Sequence, residues 1–153
     1  MPLEIERKFL VISEDYQQNS KSVDIKQAYL SADENMAIRV RIEGIQASIN
    51  IKSKQSERIS HEFEYVVPLD EAQSLIKMSP YFIIYKTRHL VEFEGHTWEV
   101  DEFHSDNDRL VVAEIELDDE NETFEMPPWI GNEVTADYRY LNSNLAVTPY
   151  NKW

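Results

Sequence analysis

The chain has 153 residues with 42% hydrophobic and 11% aromatic content, enough for one globular domain with a real core, expected to span 1–153. Zero cysteines exclude disulfides and thiolate metal sites, which leaves carboxylate and histidine as metal ligands. A formal charge of −14 argues against nucleic acid, whose backbone needs a basic surface, yet leaves room for a small polyanion in a local basic pocket. No apolar run reaches the ~18 residues of a membrane span, and the N-terminus lacks the basic-then-apolar order of a signal peptide. No membrane partner is expected, and the expected compartment is the cytoplasm.

Leu3 to Val11 reads as a strand. Alternate side chains of a strand share a face, so Glu4, Glu6 and Lys8 line up opposite Leu3, Ile5, Phe9 and Val11. Asp24 to Ser31 is a second strand, with Tyr29 near its end, and Asp33 to Asn35 is a turn. Met36 to Glu43 sets Arg39 and Arg41 against Ile38, Val40 and Ile42, and Ser48 to Lys54 sets Asn50, Lys52 and Lys54 against Ile49 and Ile51. Arg58 to Val67 carries Glu62 and Glu64 opposite Phe63 and Tyr65. Asp70 to Ser79 has helical spacing of its apolar residues, acids in its first turn, Lys77 in its last and Pro80 as a stop. Three strands follow: Tyr81 to Phe93 with Lys86 and Arg88, Thr97 to Phe103 with Glu99 and Asp101, and Leu110 to Leu117 with Glu114 and Glu116. The spacing also predicts a short helix within Asp118 to Glu125 and another around Asn144 to Val147.

The pattern therefore predicts a mainly β (α+β) chain of eight strands, seven of which repeat paired charges at i, i+2. An open antiparallel sheet with a solvated charged face explains each strand taken alone. Taken together, each strand is mostly of one sign, and one appreciable helix cannot cover so much sheet. Eight antiparallel strands can instead close into a barrel, with the apolar faces outward and the charged faces lining the lumen. Unpaired ions in a lumen cost several kcal/mol each, so such a lumen needs opposite charges, water, metal ions and a polyanion to neutralise one another. An outward apolar surface that one helix cannot cover favours a homodimer. The four histidines show no paired ligand spacing and read as structural or solvated.

Glu4-Ile-Glu6-Arg-Lys8, the Arg39-x-Arg41 strand, Lys52, the Glu62-x-Glu64 strand, Lys86-Thr-Arg88, Glu114-x-Glu116 and the tail Glu133-Val-Thr-x-Asp137-x-Arg139-Tyr140-x-Asn142 occur in order along the whole chain. This series resembles the CYTH domain proteins, also called triphosphate tunnel metalloenzymes. The resemblance implies a closed eight-stranded antiparallel tunnel that binds triphosphates with Mg²⁺ or Mn²⁺, hard cations suited to oxygen ligands. It implies that Glu4, Glu6, Glu114 and Glu116 bind metal, with Asp101, Glu62 and Glu64 completing an outer shell, holding a second metal, or orienting the basic residues. Lys8, Arg39, Arg41, Lys52, Lys86, Arg88 and Arg139 become phosphate clamps. Tyr29 corresponds to a tyrosine of the short bacterial members and is expected to pair with Lys52 in acid–base work, Lys52 having its pKa depressed by surrounding cations.

The short length, the compact Arg39-x-Arg41 to Lys52 hairpin and Tyr29 look most like the small bacterial tripolyphosphatases, which split tripolyphosphate into pyrophosphate and phosphate. Ser53-Lys54 stands where the class IV-type adenylate cyclase and thiamine triphosphatase branches tend towards Lys-Gly-Pro, which lowers both alternatives. A non-enzymatic polyphosphate- or nucleotide-binding module is the remaining reading. The four intact carboxylates tilt against it, since a pure anion binder gains little from acids.

Overall fold

The structure, a computed structural model, describes residues 2–153. Nine strands form in chain order: β1 (Leu3–Val11), β2 (Lys21–Ala32), β3 (Met36–Glu43), β4 (Gln46–Lys54), β5 (Ile59–Val67), β6 (Ile84–Phe93), β7 (His96–Phe103), β8 (Val111–Leu117) and β9 (Ile130–Glu133). Two helices accompany them, α1 (Leu69–Met78) and α2 (Asn142–Val147). Neither is long and apolar enough to cross a membrane. All strand pairs are antiparallel, in the order β5-β4-β3-β2-β6-β7-β8-β1, and β5 pairs back onto β1 to close an eight-stranded barrel. The eight strands are those expected from the alternation, with ends shifted by up to three residues.

Closure requires one strand to serve two partners on one edge. β1 gives its first residues, Leu3 to Ile5, to β5 and its last, Phe9 to Val11, to the short outer strand β9. That second pairing brings the backbones close: a Cβ on Gly131 would lie 2.7 Å from Ile12 Cγ2 and 3.3 Å from the Leu10 carbonyl oxygen. Tight turns set the register elsewhere. Glu94 and Gly95 both take positive φ between β6 and β7, as a two-residue hairpin turn requires.

Three apolar clusters result, two outside the barrel and one inside. α1 lays Ala72 and Ile76 on Ala28, Val40 and Ala47 of β2, β3 and β4. On the far side, Phe9, Trp98, Val100, Ala113 and Ile115 of β1, β7 and β8 are covered by Tyr16, Phe124 and Trp129. The expected short helix within Asp118 to Glu125 does not form. There the Asp119 carboxylate accepts from the Asn121 backbone N–H and Glu122 from that of Asp118, side-chain bonds that compete with helical ones. The segment remains extended enough to deliver Phe124 to the outer cluster.

The third cluster corrects the expectation of a lumen lined by charge throughout. Tyr29, Ile84, Phe103 and Val112 share the inward parity of the charged residues, and they pack on Leu145 and Ala146 of α2. α2 begins two residues earlier than its apolar spacing suggested, at Asn142, and floors the barrel.

Candidate active site

Above that floor the barrel encloses a cavity of about 400 Å³. Among the described residues nine acids and eight bases line it, so the chamber is close to electroneutral before any ligand arrives. Its circumference is sorted by sign because like-signed strands are neighbours. Glu4 and Glu6 on β1 adjoin Glu114 and Glu116 on β8, with Glu6 directly opposite Glu116 and Lys8 opposite Glu114. Glu99 on β7 continues this wall opposite Glu114. The other half holds Arg39 and Arg41 on β3 and Lys86 and Arg88 on β6, on either side of β2.

On the carboxylate side, Lys52 Nζ lies 2.8 Å from Glu6 and 3.6 Å from Glu4, and Lys8 Nζ lies 3.4 Å from Glu114 while donating to the Tyr140 carbonyl at 3.0 Å. Burial alone lowers the Lys52 pKa, but Glu6, Glu4 and Glu114 outweigh it and raise the value above an ordinary lysine's. The expectation of a cation-surrounded, depressed Lys52 is therefore corrected: its neighbours are carboxylates, which hold the proton on. No hydrogen bond joins it to Tyr29 among the described residues. Tyr29 lines the cavity from the apolar floor. The Glu116 carboxyl is pushed up by burial and by Glu6 across the ladder, and Glu99 by burial.

On the cation side the depressed lysine is Lys86. It is 2% exposed, and burial together with Arg88 and Arg41 brings its pKa down to about 7 despite Asp101. Asp101, expected among the metal ligands, is instead the shared counter-ion of this wall. It accepts from Lys86 at 2.9 Å and from Arg88 at 2.8 and 3.0 Å, and although burial opposes it, the two cations hold its carboxyl well below the usual range. Arg41 is lowered to about 10 by burial, Arg39 and Arg88. Arg88 is raised, Asp101 and Glu99 overcoming the effect of burial. Glu62 takes the orienting alternative too, accepting from Asn50 and, at 3.5 Å, from Arg39. Glu64 lines the cavity.

Arg139 does not join the chamber. It forms a bidentate pair with Asp137, at 2.7 to 3.2 Å, and stacks its guanidinium 4.9 Å from the Trp153 ring centroid. The two residues are two positions apart in the chain, and their mutual attraction holds the arginine on the surface. None of the four histidines lines the cavity among the described residues. Lys54, which alternation puts on the Lys52 face, lines it, as do Asn50, Ser60, Asn142, Ser143, Glu34, Glu57 and Arg58. Inward parity marks Asn50 two residues before Lys52, and Arg58 and Ser60 before Glu62, but Glu34 and Glu57 come from turns that carry no such signal.

A divalent cation fits the donor set. Hard carboxylate oxygens from Glu4, Glu6, Glu114 and Glu116 stand side by side, and Glu116, raised by burial and then by Glu6, faces like charge that a cation would relieve. No three acids or histidines converge into a ready-made cage among the described residues, so these carboxylates would share the ion with other oxygens.

A closed antiparallel barrel whose lumen sets a wall of acids against a wall of bases defines a class, and the comparisons agree: a family model for the CYTH domain matches residues 2–148. This chain belongs to the CYTH domain family. It is 43% identical over 151 residues, 98% of its length and 97% of the relative's, to a protein of Acetivibrio thermocellus named inorganic triphosphatase. A protein of the same name from Nitrosomonas europaea is 30% identical over 149 residues, 95% and 97% of the two chains. The crystal structure of an inorganic triphosphatase superposes with a TM-score of 0.71 at 32% identity, covering 96% of each chain.

Proposed function

We propose that the chamber hydrolyses a triphosphate with the help of a divalent cation, Mg²⁺ or Mn²⁺, and that the substrate is inorganic tripolyphosphate, split to pyrophosphate and phosphate. The observation that carries this reading is the division of one enclosed lumen into a four-carboxylate wall and a facing wall of Arg39, Arg41, Lys86 and Arg88. A bound divalent ion would supply Lewis-acid polarisation of a phosphoryl oxygen. Phosphoryl transfer otherwise asks for positioning and charge stabilisation, which this chain's own residues provide. The arginines and Lys86 neutralise the equatorial and bridging oxygens and hold the phosphate chain extended. Lys8 and Lys52, pinned to Glu114 and to Glu6 and Glu4, keep the carboxylate wall from repelling the anion. Asp101 and Glu62 fix the directions of Lys86, Arg88 and Arg39. The names of the relatives support the same substrate.

The lining also favours an all-inorganic substrate over a nucleotide. Ala37 and Leu141 are its only aliphatic residues and Tyr29 its only aromatic one among those described, so a base would find little to stack on. Phosphate release from tripolyphosphate, thiamine triphosphate and ATP, with Mg²⁺, with Mn²⁺ and with chelator, tests the reading. Metal-dependent release, fastest from tripolyphosphate, is expected. Release from none would leave a binding module, and pyrophosphate with cyclic AMP from ATP would make the chain a cyclase. Homodimerisation fits the outer face of the β1–β5 seam, where neither helix packs and Leu3 and Tyr65 are exposed. Sedimentation showing a monomer would contradict it.

A further inference from the structure

Two neutral amides, Gln27 and Asn142, stand among the cations of the chamber and have no part in the hydrolytic reading above. Gln27 lies on the inner face of β2 and is wholly buried, and Asn142, the first residue of α2, lines the cavity. The oxygen and nitrogen of an amide are told apart by their partners, and here the partners leave one solution. Arg41 can only donate, and its Nε donates to Gln27 Oε1 at 3.1 Å. Gln27 Nε2 is thus the end that donates, and it does so to Asn142 Oδ1 at 2.9 Å. Lys86 Nζ donates to the same oxygen at 3.0 Å. With Oδ1 fixed by two donors, the Asn142 Nδ2 group is turned away from them. It has no protein partner among the described residues and is not one of the buried unpartnered atoms, so a molecule in the cavity can reach it.

We propose that Asn142 is a substrate-binding residue whose Nδ2 donates to a phosphate oxygen, and that Gln27 is the positioning residue that holds it in that orientation. The inference rests on the triphosphate reading of the chamber. Its physical logic is that Oδ1 accepts from Gln27 and Lys86 while Gln27 Oε1 accepts from Arg41, so the amide pair links two repelling cations. The remaining N–H groups then give the anion a directed donor without adding charge. The wall thereby orients as well as neutralises, and the floor helix contributes a side chain to the site.

Three variants test this with tripolyphosphate and Mg²⁺, read as KM and kcat from phosphate release. If the wild type releases no phosphate, which would end the hydrolytic reading, calorimetry on the same mixture gives Kd instead. Asn142→Asp keeps the volume and the acceptor, removes the donor and sets a negative charge against the phosphate, and is expected to raise KM or Kd about tenfold or more. Asn142→Ala should do less. Gln27→Glu keeps the acceptor for Arg41 but takes away the bond that orients Asn142, and should raise KM several-fold with kcat nearly unchanged. A purely space-filling role for Asn142 reverses the order, Ala being worse than Asp, and that result would overturn the proposal. Wild-type affinity in Asn142→Asp would overturn it too, whether or not the alanine variant folds. A wild type that neither hydrolyses nor binds tripolyphosphate removes both readings at once.

Discussion

Lys52 and Lys86 are both inward-facing lysines of the same barrel, yet their surroundings push them in opposite directions. Lys52 faces Glu4 and Glu6, which outweigh its burial and raise it, while Lys86 is brought down to about 7 by burial, with Arg88 and Arg41 adding to the effect. The difference comes from strand order. β7, β8, β1 and β5 are neighbours and carry acids inward, while β3 and β6 flank β2 and carry bases. A sign bias within each strand thus becomes a charge division around the lumen, one half suited to cations and the other to a polyanion.

The largest effect should follow from removing the carboxylate that Lys86 and Arg88 share. Asp101→Asn leaves Lys86 and Arg88 without their shared counter-ion, and breaking a buried pair in this way costs roughly 3–5 kcal/mol. For a chain of this size that is a fall in melting temperature on the order of 10 °C, and an unchanged melt would mean that the wall is held by something else. On the opposite half the sign for stability reverses. Glu116→Gln relieves like charge against Glu6, so the metal-free protein should melt no lower than wild type, while hydrolysis slows about a hundredfold or more through loss of one of the carboxylates proposed to hold the metal. A loss of stability comparable with that of Asp101→Asn would erase the distinction between the halves.

The strands and their inward parity were legible because a period of two is written directly into the residues. The apolar floor was legible in principle as well. Ile84 sits two residues before Lys86, Phe103 two after Asp101 and Val112 two before Glu114, all at inward positions. Reading every apolar face as outward hid that signal. The environment of Lys52 could not be read from its own strand. β4 offers it basic and amide neighbours, and the carboxylates that raise it arrive from β1, two strands away beyond β5. β9 and the 3₁₀ turns are too short to show a period. Arg139 was misplaced because its match lay in a motif, whereas its partner, Asp137, lies two residues away.

Smaller effects sharpen the same comparison. Lys86 is charged below about pH 7 and neutral above it, so metal-free affinity for tripolyphosphate should fall as pH rises through 7. Binding above that pH should take up a proton, measurable by calorimetry in buffers of different ionisation enthalpy. In the unfolded chain the same lysine stays protonated up to its ordinary value of 10.5, so stability should rise with pH between about 7 and 10.5. Lys86→Met should flatten both slopes, and slopes that survive this substitution belong to another group. The smallest effect is expected at Arg139, which lies outside both halves. Arg139→Ala should leave KM within about twofold of wild type, as for an exposed ion pair, and a larger change would return it to the site.

The central claim is that one half of the lumen holds the cation and the other the phosphates. The most direct measurement is metal half-saturation and KM, determined side by side for Glu6→Gln and Arg39→Gln. The division predicts that Glu6→Gln raises the metal requirement more than KM, and that Arg39→Gln raises KM while leaving the metal requirement near wild type. If both variants shift the same constant together, the lumen acts as one undivided electrostatic site and the account is wrong.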